Sequence, residues 1–109
     1  MGEKRRCRRI QRSVVRVETI GGHRMQGEVH DFSLDGICLS APLRAVRGDH
    51  LELTLVETHS QRLRLLRARV RWQRDSRFGL AWIGLSTRDQ EWMRALINFR
   101  PVERSTPWR

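Results

Sequence analysis

What most constrains this chain is a two-residue apolar alternation that restarts several times and then gives way, once, to a helical period. In "LELTLVE" (51–57), Leu51, Leu53 and Leu55 fall on one parity, with Glu52 and Thr54 on the other. A strand with one buried face requires that period. "SVVRVETI" (13–20) and "ICLSA" (37–41) alternate likewise, "RMQGEVHDFS" (24–33) and the stretch 61–73 are also read as strands, and "FGLAWIGL" (78–85) as a sixth, mostly buried one. Between them stand "GGH", "LDG", "RGDH" and "RDSR", rich in the residues that turns demand. Two irregularities are predicted inside the strands. Gly27 is read as a bulge. In 61–73, Leu63 and Leu65 share one parity while Ala68, Val70 and Trp72 share the other, so an added residue at Leu65–Leu66 is expected to flip the faces.

In "STRDQEWMRALINF" (86–99) the period changes, and Trp92, Met93, Leu96 and Ile97 recur at helical spacing. Ser86 and Asp89 suit a capping arrangement, and Pro101 marks the stop. The helix is amphipathic, and its apolar stripe is expected to pack on the sheet rather than on a membrane. The predicted fold is mainly β, a small six-stranded antiparallel barrel with one C-terminal α-helix. With 109 residues the chain fits one domain. Residues 1–12 are read as a flexible basic arm, 13–100 as the barrel plus helix, and 101–109 as a loose tail.

Charge narrows the partners. The formal net charge is +10, and six of the nine residues 4–12 in "KRRCRRIQR" are cations. That balance favours an anionic partner: nucleic acid, nucleotide, or an acidic protein or membrane surface. Aromatic content of 6%, with no Tyr, gives no ladder for stacking bases, so general nucleic-acid binding is the weaker expectation. The longest apolar run, 79–85, is too short to span a bilayer, which takes about 20 residues. No secretory pattern follows the charged N-terminus, and a cytoplasmic location is expected. Cys7 and Cys38 lack metal-site spacing, the four histidines form no ligand pattern, and no catalytic constellation stands out, so neither an enzyme nor a metal or other cofactor is expected. Cys38, within an apolar stretch, is expected in the core, while Cys7 sits among arginines that lower a thiol's pKa.

Two separated stretches carry binding chemistry. Arg5 and Arg9 form RxxxR; Arg8 and Arg12 satisfy the same spacing. About twenty residues further on, Asp31, Ser33 and Gly36 form DxSxxG where one strand turns into the next. Taken alone, the second stretch is a turn, with Asp and Ser bonding backbone and Gly free to take a positive φ. Arginine offers a planar fork that meets guanine O6 and N7 and can stack on a base, which lysine cannot do. A carboxylate such as Asp31 can accept from guanine N–H groups, and the Ser33 hydroxyl can bond base or phosphate.

In order, spacing and strand context the two motifs resemble the PilZ domain family, bacterial receptor domains for the second messenger cyclic di-GMP. "RARVRWQRDSRFGLAWIGLS" resembles the family's long fifth strand, turn and sixth strand, and the likeness runs from about Lys4 to Asn98. It implies a split barrel and a binding module rather than an enzyme. The preferred frame is Arg5 and Arg9, because in the family the second arginine directly precedes the apolar residue leading into the first strand, here Ile10. By the resemblance, Arg5, Arg9, Asp31, Ser33 and Gly36 grip cyclic di-GMP, often an intercalated dimer, with Lys4, Arg6, Arg8 and Trp72 assisting. For Trp72 the preferred reading is a core or barrel-rim aromatic. The arm is expected to order on the ligand and to pass the signal to a separate, unidentified protein in control of motility, surface attachment or exopolysaccharide. Two alternatives stay open: a small basic barrel binding nucleic acid without specificity, and a PilZ-like adaptor that no longer takes the ligand.

Overall fold

The computed structural model describes residues 15–98. Six strands run in the order β1 (Val15–Ile20), β2 (His23–Phe32), β3 (Gly36–Ser40), β4 (His50–Glu57), β5 (Leu63–Arg74) and β6 (Arg77–Ile83), followed by helix α1 (Thr87–Ile97). They close into an antiparallel barrel, β1-β2-β3-β6-β5-β4, with β4 pairing back onto β1. The fold expected from alternation and period is therefore present. Closure pairs both edges of every strand, so the described barrel offers no open edge to another chain.

Turn chemistry sets the hairpins. Gly21 and Gly22 both have positive φ, 61° and 85°, as a tight β1–β2 connection needs. Asp75 takes φ 56° in the turn between β5 and β6, where its carbonyl accepts from the Gln73 amide at 2.7 Å. The inward parity of each strand fills the barrel: Val15, Val17, Phe32, Leu39, Leu53, Leu55, Val70 and Phe78 are all buried.

Helix α1 seals one end with Met93 and Leu96, both buried. Its capping box is as predicted. Asp89 N–H donates to the Ser86 hydroxyl at 3.0 Å, and Ser86 N–H donates to the Asp89 carboxylate at 3.1 Å. Arg64 of β5 donates to the same carboxylate at 3.1 Å and lies over the Trp92 ring, 5.2 Å from its centroid. The Trp92 indole N–H donates to Glu57, which also accepts from the Ser60 hydroxyl at 2.7 Å. Burial alone would raise both carboxyls. The bonds from Ser60 and Trp92, with His59 and Arg62 nearby, hold Glu57 below its ordinary value, and those from Ser86 and Arg64 do the same for Asp89.

The strand irregularities fall elsewhere than predicted. The β4–β5 pairing runs unbroken from His50↔Arg69 to Val56↔Leu63, with no added residue at Leu65–Leu66. Leu63 and Leu65 simply point outward on the same parity as Arg67 and Arg69, while Leu66, Ala68 and Val70 are buried. The β5 bulge lies later, at Arg71, where the β5–β6 register shifts between Val70↔Leu80 and Trp72↔Gly79. In β2 the register to β3 shifts at His30, between Val29↔Leu39 and Asp31↔Cys38. Gly27 itself pairs with Val17, at the margin of a separate β1–β2 shift that falls across Met25 and Gln26.

Candidate ligand-binding face

Both of these bulges re-aim a candidate residue. In β2, Val29 and Phe32 are buried, and the extra residue His30 leaves Asp31 on the outer parity between them. In β5, Val70 points inward, and the extra residue Arg71 puts Trp72 outward at 45% exposure. Without the bulges, two-residue alternation would send Asp31 with Val29 and Trp72 with Val70 into the core. Bulges commonly re-aim a side chain in this way.

The register assembles these residues into one outer face. Asp31 pairs with Cys38, Cys38 with Gly79, and Gly79 with Trp72, forming a transverse row over β2, β3, β6 and β5. At about 4.8 Å per strand the row spans about 14 Å. Gly36, Ala81 and Arg69 form the row on one side. Glu28, Ser40, Arg77 and Arg74 form the row on the other. The middle lane, β3 and β6, therefore carries mostly small residues, with acidic β2 along one side and Arg69, Trp72 and Arg74 of β5 along the other. His30 and Ser40 share a 2.7 Å hydrogen bond across the β2 side. This floor curves around the outside of the barrel, with charge of opposite sign at its two margins.

Trp72 rests on that floor. A Cβ placed at Gly79 would come 2.1 Å from the Trp72 indole nitrogen, so the ring occupies the space the glycine leaves empty. Gly79 and Cys38 were not anticipated as part of the face. The signal was the parity of "FGLAW", in which Gly79 falls between the inward Phe78 and Leu80. Cys38, expected in the core, is only partly buried because Ile37 and Leu39 take the inward parity beside it.

The DxSxxG residues divide into two kinds. Asp31 stands on the face, half-buried, with its Oδ1 sealed from solvent. Ser33 is buried and holds the β2–β3 turn: its hydroxyl accepts from Asp35 N–H at 3.1 Å, and its own N–H donates to Gly36 at 2.9 Å. Its carbonyl accepts from the Trp82 indole at 2.9 Å. Gly36 borders the face for a reason other than a left-handed φ. A Cβ there would lie 1.9 Å from the Leu80 carbonyl oxygen, so the close approach of β3 to β6 requires glycine. Arg5, Arg9, Lys4, Arg6 and Arg8 lie outside the described residues.

From this turn a line of aromatic rings runs to the helix. Phe32 packs edge-on against Trp82 at 6.0 Å between centroids and against Trp92 of α1 at 6.2 Å. The rings join the loop between β2 and β3 to the Glu57–Arg64–Asp89 cluster that anchors α1.

A closed barrel with a paved, charge-edged outer face is the architecture of a small binding module. The family model for the PilZ domain matches residues 3–99, and the chain belongs to that family, whose domains are receptors for cyclic di-GMP rather than catalysts. No curated protein matches the chain. No helix among the described residues is long and apolar enough to cross a membrane.

Proposed function

We propose that this chain binds cyclic di-GMP on the outer face of β2, β3, β6 and β5, with residues 1–12 supplying the second jaw. Arg5 and Arg9 clamp guanine and phosphate from the arm, and Lys4, Arg6 and Arg8 add charge. Asp31 accepts from a guanine edge, Trp72 offers a ring for stacking, and Ser33 and Gly36 keep the turn in shape beneath them. The observation that carries the reading is the single row Asp31–Cys38–Gly79–Trp72, with a bulge on each outer strand turning its polar or aromatic residue toward the same floor.

Ordering of the arm on the ligand relays the signal to a separate protein. Two further observations support a relay through the barrel. The Ser33 carbonyl is bound by Trp82, and Trp82 meets the helix through Phe32 and Trp92. A ligand that shifts the turn therefore pushes on a packed line of rings rather than on solvent.

Calorimetric titration of the full chain and of Arg9→Ala and Asp31→Ala with cyclic di-GMP tests the reading. Loss of one bidentate guanine contact costs about 1–3 kcal/mol, or about ten- to a hundred-fold in affinity. Absence of wild-type binding at tens of micromolar overturns the proposal. So does wild-type affinity in both variants.

A further inference from the structure

Among the described residues, two of the most exposed large apolar side chains share one strand face: Leu63 at 64% and Leu65 at 58%. Their register neighbours on β4 are Val56 and Thr54, and the next outward pairs on β5 are Arg67 with Glu52 and Arg69 with His50. Half-buried Ile83 pairs with Arg67 from the other side. Single exposed leucines are ordinary, but two on successive outward positions form an apolar step that water covers at a cost.

Cations frame that step. Arg16 pairs with Val56 beyond Leu63, and Arg62 precedes the strand; Arg67 and Arg69 follow Leu65. The carboxylates near these cations are Glu18, 3.6 Å from Arg16, Glu52 opposite Arg67, and the buried Glu57 beside Arg62. Four arginines against three glutamates leave the frame positive.

We infer that the outer face of β5 around Leu63 and Leu65 docks an acidic protein segment carrying two or more apolar side chains. Charge complementarity selects this occupant. A second copy of the chain would bring the same positive frame and a net charge of +10 against it. A bilayer is a poor match, because the leucines lie in the plane of a sheet beside Thr54 rather than on a projecting loop. The closed barrel leaves no described edge for strand addition, so recognition runs through side chains. Arg64, between the two leucines, reaches the opposite way to Asp89 and Trp92, and Arg69 borders both this patch and the candidate ligand face. A partner seated here touches the strand that links the ligand face to the helix anchor. The inference rests on the patch alone and stands whether or not cyclic di-GMP binds.

The test is selection from a random displayed peptide library on the full chain without nucleotide, followed by affinity measurement on Leu63→Ser/Leu65→Ser and on Arg67→Glu. Enriched peptides are expected to be acidic, to hold at least two of Leu, Ile, Val or Phe, and to lose about tenfold or more in affinity on each variant. Both leucines face outward, so the double variant keeps its melting transition; should it fail to fold, Arg67→Glu decides alone. No enrichment, peptides without acidic bias, or peptides that bind the variants as tightly as wild type overturn the inference. Two other outcomes also overturn it in favour of a different occupant: binding to phosphatidylglycerol vesicles, or concentration-dependent dimerisation, that the leucine substitutions abolish. Cyclic di-GMP titration of the same variants is a separate readout, so failure of the ligand reading is distinguishable.

Discussion

Two glycines on the same outer face offer a way to separate fold from site with one chemical change. At Gly36, an added Cβ lies 1.9 Å from the Leu80 carbonyl oxygen and 2.9 Å from its carbon, both backbone atoms of the neighbouring strand. At Gly79, it lies 2.1 Å from the Trp72 indole nitrogen, the far end of a side chain that is 45% exposed. Backbone held in a ladder cannot yield without parting β3 from β6, whereas a half-exposed ring can rotate away. Overpacking against fixed structure costs about 1–3 kcal/mol, and the backbone partner places Gly36→Ala at the upper end, about 3 kcal/mol. For a domain of this size each kcal/mol moves the midpoint by about 4–8 °C, so Gly36→Ala is expected to melt about 12–24 °C lower. Gly79→Ala is expected to lose at most about 1 kcal/mol of stability and to displace Trp72 from the floor. Thermal unfolding followed by circular dichroism, paired with calorimetric titration of cyclic di-GMP, reads both. Gly79→Ala should weaken binding while keeping its midpoint. If Gly36→Ala instead melts like wild type and loses only the ligand, its glycine serves ligand approach and the strand-spacing argument fails.

Three further outcomes follow from the same geometry. Trp72→Ala should leave the melting midpoint within a few degrees and weaken cyclic di-GMP by about ten- to a hundred-fold, the worth of one base stacked on an aromatic ring; an unchanged titration removes Trp72 from the site. Deletion of Arg71 brings Trp72 directly after Val70 in a regular ladder with Leu80 and Gly79, so Trp72 stays outward, and both the deletion and Arg71→Ala should keep the Trp72 indole N–H resonance close to its wild-type position; a resonance moved to a buried environment in the deletion variant refutes the assignment of Arg71 as the extra residue. Acid should loosen the helix: Glu57 and Asp89 both sit below their ordinary values of 4.5 and 3.8, so their contribution is present above those values and is lost as pH falls through the lower folded ones. Near-ultraviolet circular dichroism during acid titration should show that loss, and Glu57→Gln with Asp89→Asn should flatten it; a double variant as acid-sensitive as wild type refutes the assignment.

Much of the fold was legible because the barrel and helix obey local rules. Leu51, Leu53 and Leu55 alternate as a half-buried strand must, Gly21–Gly22 supplies the backbone a tight hairpin needs, and Ser86 with Asp89 announces the helix three residues apart. Each signal is complete within a few residues. The β5 leucines misled for the opposite reason. Leu63 and Leu65 looked like core residues because they are leucines, and a flip was needed to reconcile them with Val70. Hydrophobicity records the cost of meeting water, not whether a given surface meets it. Only the unbroken pairing of β4 with β5 establishes that these two stay outside.

The candidate face was half legible, and the missing half has one physical cause. Asp31, Ser33 and Gly36 were visible as a spacing, and Trp72 as a residue near a strand end. Their common floor was not visible, because it depends on which way each side chain points. A period-two reading assigns direction by counting, and one extra residue reverses every assignment after it. His30 and Arg71 are such residues, and neither carries a compositional mark of a bulge. Counting therefore put Trp72 with Val70 in the core and left the partnership of Cys38 and Gly79 unseen. The same two insertions that defeat the count also build the face, since they turn Asp31 and Trp72 outward without moving Phe32 or Val70 from the core. Where alternation fails in a small barrel, the failure itself is the place to look for a site.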